Sequence, residues 1–223
     1  MKFNLNLRYI LICLILLSFT NCKGNKTDHP NNTIIQENTT GHQKKDSNNN
    51  TDSVQLTALI KHLYKWQAAG SLKYDGFKAV KLNNTDTLYC GIDLVENAKA
   101  ITELKATGFF TNGFLRNYHN IAVRMDKELH NGSSQWRDDE LPTFSRDINA
   151  WCNCQDEPVD NYWKIIKLTD IKIDHNKASF KWTWGDNFYY NVRALKENND
   201  WKIDYLQGFD MNAYSWEWQK KHP

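Results

Sequence analysis

A membrane-crossing helix needs about 20 consecutive apolar residues, and the apolar run that opens this 223-residue chain is too short for that. It extends from Tyr9 to Phe19, interrupted only by Ser18, and is preceded by Lys2 and Arg8. Those proportions fit the charged and apolar regions of a secretory signal. The small-residue pattern that an ordinary signal peptidase needs is also missing near Asn21, where a cysteine follows directly.

A surplus of either charge is missing too. The chain has 28 Lys and Arg against 26 Asp and Glu, and two of the bases, Lys2 and Arg8, lie in the leader. What remains is formally neutral. A nucleic-acid binder keeps a clustered basic surplus, so nucleic acid is not an expected partner.

The usual signatures of catalysis and metal binding are lacking as well. His119 and His130 share one stretch but not the i, i+4 spacing of paired ligands, His62 flanks an apolar stripe, and no H-E-x-x-H occurs. Five cysteines are present. With Cys13 and Cys22 set aside, Cys90, Cys152 and Cys154 remain, an odd number for an oxidising compartment. A zinc site wants four N or S ligands; the C-x-C pair supplies two, Cys90 a third, and no histidine lies near. A disulfide is the expected use, either Cys90 with one of the pair or Cys152 with Cys154. No metal and no cofactor is expected.

What the chain does have is aromatic mass: nine Trp, ten Tyr and ten Phe, nearly all beyond residue 60. Residues 23–52 are polar and rich in Asn and Thr, with one apolar pair, Ile34-Ile35. Such a stretch buries too little surface to offset the entropy of ordering and reads as a tether reaching on the order of 30 Å. A helix is expected after a cap at Asp52 or Ser53, with Leu56, Leu59, Ile60, Leu63 and Tyr64 on one face and Gly70 as the stop. A second follows Asp93, with Leu94, Ala98, Ile101 and Leu104 inward. A third carries Phe114, Tyr118, Ile121, Met125 and Leu129 and closes at Asn131-Gly132.

Beyond residue 162 the period changes to two. "WKIIKLTDIKID", "KASFKWTW", "FYYNVRALK" and "WKIDYLQGF" read as four strands joined by short polar turns, an antiparallel meander. Alternation puts Phe180, Trp182, Trp184, Phe188, Tyr190, Trp201, Ile203 and Tyr205 on one face and Lys181, Arg193 and Lys202 on the other. The helices must cover the aromatic face. The expected class is α+β: three N-terminal helices packed on a curved four-stranded antiparallel sheet, spanning residues 53–209, with a tail over 210–223.

Two resemblances bear on this. The segment Leu17-Ser18-Phe19-Thr20-Asn21-Cys22 resembles the lipobox of a bacterial lipoprotein, of the relaxed kind seen in Bacteroidota, with Phe19 in place of leucine and Asn21 in place of a small residue. It implies a signal peptide over residues 1–21, a lipidated Cys22 carrying palmitate-type chains, and a tether over 22–52. The helix "LIKHLYKW", the loop "CNCQDEP" and the ending "VRALKENNDWKIDYL" resemble the cystatin-like, nuclear transport factor 2-like cone found in small envelope lipoproteins of unknown function. That likeness marks Asp156, in the Gln155-Asp156 pair, as a residue at the sheet entrance. Trp182, Trp184, Tyr190 and Tyr205, with Asp156, are the candidate lining of a pocket in the cone; the same pattern describes a filled core. The acidic clusters "RDDELP" and "QDEPVD" read as cation or acid–base candidates or as hydrated turns.

The expected function is a lipid-anchored cell-envelope binding or accessory protein without catalysis. Its partners would be the membrane, through the lipid, and a small apolar ligand or an envelope protein. The alternatives are a small-molecule enzyme of isomerase, dehydratase or hydrolase type, and an inhibitor or immunity-type protein whose tail presents Trp216 and Trp218.

Overall fold

The computed structural model describes residues 43–70, 72–73, 76–83, 85, 87–133, 135–137, 148–155, 160–185 and 187–211, with side chains described from Asn50 onward. All of them belong to one compact unit, Thr40–Pro223. The leader, Cys22, the acidic cluster at 138–140, Asp156 and the tail from 212 lie outside the described residues.

The elements follow in the order α1 Gln43–Ala68, β1 Ala79–Val80, β2 Gly91–Ile92, α2 Leu94–Ala106, α3 Asn112–His130, β3 Lys167–Asp174, β4 Lys177–Gly185, β5 Phe188–Glu197 and β6 Asp200–Leu206. Short 3-10 turns precede β3 at Tyr162–Lys164 and follow β6 at Gln207–Phe209. Three helices and a four-stranded antiparallel sheet in the order β3-β4-β5-β6 make an α+β domain.

Helix α1 starts at Gln43, well before the cap expected at Asp52 or Ser53, and takes in residues expected in the tether. Hydrophobic periodicity marks only the turns that pack. The polar turns ahead of Asp52 carry no such signal, although nothing in their sequence breaks a helix. Asp52 is not a cap. It is buried, where its Oδ1 accepts from Lys196 Nζ at 2.5 Å and Trp201 Nε1 at 3.0 Å. Further along, Leu56, Ile60, Leu63 and Tyr64 are fully buried, as the spacing predicts.

Helix α2 begins where the Asp93 side chain accepts from Glu96 N–H at 2.9 Å, the ordinary N-cap bond. Its buried face is Asn97, Ala100 and Leu104, and Ala98 is exposed, contrary to the expected stripe. Two faces one residue apart competed, and the one that won buries an asparagine. Asn97 is satisfied there, donating to Gly76 C=O at 2.7 Å and meeting His119 Nδ1 at 2.7 Å. Helix α3 is capped by Thr111 Oγ1, which accepts from Phe114 N–H at 3.1 Å, and buries the five residues read from its spacing together with Leu115 and Ala122.

The hairpin between β5 and β6 turns on Asn198 and Asn199, both left-handed at φ +52° and +70°, the twist that a two-residue hairpin loop requires. Ahead of α3, Phe110 bridges Ile203 in parallel. Thr111 N–H donates to Ile203 C=O at 2.9 Å, and Ile203 N–H donates to Phe109 C=O at 2.7 Å. The free edge of β6 is thereby covered, and the first turn of α3 sits against it.

Register irregularities fall in all three strand pairs. In β6, Ile203 pairs Ala194 while Tyr205 pairs Arg193, so Asp204 is an extra residue. One inserted residue inverts every later side chain. Leu206 therefore points into the core and is fully buried, and Tyr205 faces the other way. In β3, Asp170 is left-handed at φ +53°, and Asp170 and Ile171 together face a single residue of β4.

Candidate functional site

The inner sheet face holds three of the expected pocket residues, and their rings pack against one another. Trp182 and Tyr190 are fully buried. The Trp182 ring lies 4.6 Å from Tyr64, 5.2 Å from Trp184, 5.1 Å from Phe188 and 5.5 Å from Tyr190 between centroids. Trp184 stacks on Phe188 at 4.1 Å and 13°.

The polar atoms of this cluster are used internally. Trp182 Nε1 donates to the Tyr64 hydroxyl at 3.1 Å, and that hydroxyl donates to Trp151 C=O at 2.5 Å. The Tyr190 hydroxyl donates to Ala150 C=O at 2.8 Å and accepts from Gly208 N–H at 2.8 Å. Burial, reinforced by the neighbouring phenols Tyr190 and Tyr162, pushes the Tyr64 hydroxyl well above its ordinary pKa, against a smaller lowering from Trp182, so it stays a neutral donor. These residues are core. Tyr205 is not among them, because the β6 irregularity turns it outward.

The loop that receives these bonds is closed by a disulfide between Cys152 and Cys154, and Cys90 is a free thiol 3.4 Å from Val80 C=O. Of the three pairings the sequence allows, the one within the C-x-C motif is formed. Gln155 is exposed at the end of this loop; its neighbour Asp156 lies outside the described residues. The histidines do not converge: His62 is exposed, His119 bonds Asn97, and His130 pairs with Asp126 on its own helix at 3.2 Å.

The opposite sheet face carries a different arrangement. A cleft of about 1170 Å³ runs over β3, β4, β5 and β6 and is bounded by the start of α3 and by Phe209–Met211. Four cationic side chains line it, Arg116, Lys172, Lys181 and Arg193, with three carboxylates, Asp170, Asp204 and Asp210.

Each carboxylate is engaged. Asp170 meets Lys181 Nζ at 2.9 Å, and that hydrogen bond and charge hold its pKa below the usual carboxylate value while raising that of Lys181. Asp204 accepts from Thr111 Oγ1 at 2.8 Å and sits so close to the first turn of α3 that a Cβ at Gly113 would come within 2.8 Å of it. Asp210 accepts from the Tyr205 hydroxyl at 3.1 Å.

The cations divide differently. Lys181 has its carboxylate, but among the described residues no ion pair holds Arg116, Lys172 or Arg193. Arg193 is held by an aromatic ring instead: its guanidinium carbon lies over Tyr205, 4.3 Å from the ring centroid. A guanidinium stacked on a ring keeps its in-plane N–H donors available.

The register lines up one transverse row across the cleft. Lys172 pairs Ser179, Ser179 pairs Arg193, and Arg193 pairs Tyr205. With strands about 4.8 Å apart, the backbones of Lys172 and Arg193 stand about 9.6 Å apart with a small hydroxyl between them. Sequence alternation places Ser179 and Arg193 outward, but it gives no register and no sign of the β6 inversion that supplies Tyr205. Both depend on pairing between strands.

No protein-family model, curated protein or solved structure matches this chain.

Proposed function

We propose that this chain is a lipid-anchored binding protein of the cell envelope, held by lipid on Cys22, without catalytic activity, and that it binds through the outer sheet cleft. The helix-then-sheet order supports a nuclear transport factor 2-like, cystatin-like domain. In that fold the aromatic cone is the usual place for a pocket. Here Trp182, Tyr190 and Tyr64 fill it and use their polar atoms on one another and on the Ala150–Trp151 backbone. An enzyme acting in the cone would need that space.

The observation that carries the binding reading is the cleft: its carboxylates are engaged, while the Lys172 and Arg193 side chains lie exposed and form no ion pair among the described residues. The charged lining of the cleft favours a charged ligand over an apolar one. Placement in the envelope rests on the leader and on the polar stretch behind it.

The test has two parts. Cys22→Ser should move the protein from the membrane to the soluble fraction; unchanged retention removes the anchor. Native mass spectrometry of the chain extracted in mild detergent should show a bound species that is lost in Arg193→Glu. A bound species unaffected by that change, or substrate turnover by the purified chain, overturns the reading.

A further inference from the structure

We infer that the transverse row Lys172–Ser179–Arg193, backed by Tyr205, is a recognition site for a phosphate monoester group. The inference rests on the cleft being the binding surface and names the chemistry it selects. The three side chains share one sheet face and one line of cross-strand neighbours, and all three are exposed in the cleft.

The oxygens of a phosphate match that row. Arg193 presents two parallel N–H donors, the geometry suited to bidentate capture of two oxygens. Lys172 meets a third oxygen as a mobile point charge from the opposite side. Ser179, the small residue between them, leaves the volume that the anion occupies and offers one hydroxyl donor. Arginine and lysine backbones about 9.6 Å apart leave both side chains long enough to converge above the serine.

Preorganisation favours the site. The Tyr205 ring supports the guanidinium, and Asp210 fixes the ring by accepting its hydroxyl proton at 3.1 Å. One competing carboxylate, Asp170, lies within electrostatic reach of Lys172 but bonds Lys181 at 2.9 Å. The next row holds Lys181 beside Asn191, whose amide donates to Gln207 at 2.7 Å, so the room for an esterified substituent lies toward α3 and Arg116. A dianionic phosphate gains from two cations where a carboxylate, with two oxygens, occupies one.

The experiment is a calorimetric titration of the purified full chain with phenyl phosphate, inorganic phosphate and citrate. The expected result is saturable binding of phenyl phosphate and inorganic phosphate, with affinity lowered about tenfold or more in Arg193→Gln and in Lys172→Gln. Arg193→Lys should keep the charge and still lose several-fold, because the bidentate fork is gone. Lys202→Gln, on the outer face but paired with Glu197 at 3.1 Å, should bind as the parent does. An unchanged near-ultraviolet tryptophan spectrum shows that each variant is folded.

Citrate binding without phosphate binding, lost in Arg193→Gln, overturns the phosphate assignment while the cleft survives as the binding site. Phosphate binding that persists in both glutamine variants puts the anion elsewhere and overturns the site. No saturable phosphate binding overturns the inference outright, and the native mass measurement on Arg193→Glu then decides separately whether the cleft binds anything else.

Discussion

Lys196 Nζ lies 2.5 Å from Asp52 Oδ1, joining the middle of α1 to the far end of β5 across 144 residues of sequence. Trp201 of β6 donates to the same oxygen at 3.0 Å. Burial works to raise the pKa of Asp52, and the Lys196 and Trp201 hydrogen bonds with the Lys196 charge outweigh it, leaving it below its ordinary value. A carboxylate whose folded-state pKa is depressed stabilises fully above its unfolded value and loses that contribution as pH falls through the folded value.

Asp52→Asn should therefore cost about 2–4 kcal/mol near neutral pH, because Lys196 is left half-buried without its counter-charge. The penalty should shrink as pH falls from the unfolded carboxylate's value, about 4, through the lower folded value at which the parent's own carboxylate protonates. Thermal unfolding of both proteins between pH 7 and pH 2.5 checks this. A difference that stays constant with pH would show that Asp52 acts by shape alone.

Tyr64→Phe removes one hydroxyl and strands two partners, the buried Trp182 indole N–H and the part-buried Trp151 carbonyl. Each unsatisfied group costs about 1–3 kcal/mol, so a loss of about 2 kcal/mol or more is expected in chemical denaturation, with a changed near-ultraviolet tryptophan signal. A neutral outcome would mean that water replaces the hydroxyl.

Gly208 admits no side chain at all. A Cβ built there would stand 1.7 Å from the Ala150 carbonyl oxygen, which is backbone and has no rotamer to yield. Gly208→Ala should destabilise by about 1–3 kcal/mol or more and should loosen the Tyr190 hydroxyl, which bonds both sides of this contact. Hydrogen exchange at Gly208, slow in the parent, should speed up.

Thiol alkylation without reductant, on a chain lacking Cys13 and Cys22, should label Cys90 only; after reduction, Cys152 and Cys154 should label too. Three labelled thiols without reductant would contradict the Cys152–Cys154 bond.

Much of the architecture is written in local spacing. The four strands, their order and two of the three helix faces follow from periods of 2 and 3.6, because each element must turn its apolar side to one core. Trp182 and Tyr190 are inward for that reason alone. The start of α1 is not legible, since its first turns are polar and carry no hydrophobic period. The inward face of α2 is legible only in part: Leu94, Ile101 and Leu104 pack on the core as read, but Ala98 is exposed, and a buried asparagine with two partners looks polar in sequence.

The candidate site was the least legible part. Alternation assigns Tyr205 to the aromatic face, and one extra residue at Asp204 reverses it. The row Lys172–Ser179–Arg193–Tyr205 joins residues from four strands, and a row depends on register, which is a property of pairing between segments. By itself the sequence determined which residues are apolar at which period, and hence the elements and the aromatic core. Only the tertiary structure decided register, bulge placement and which carboxylates pair with which cations, because these are set by contacts between residues far apart in the chain, where no local preference acts.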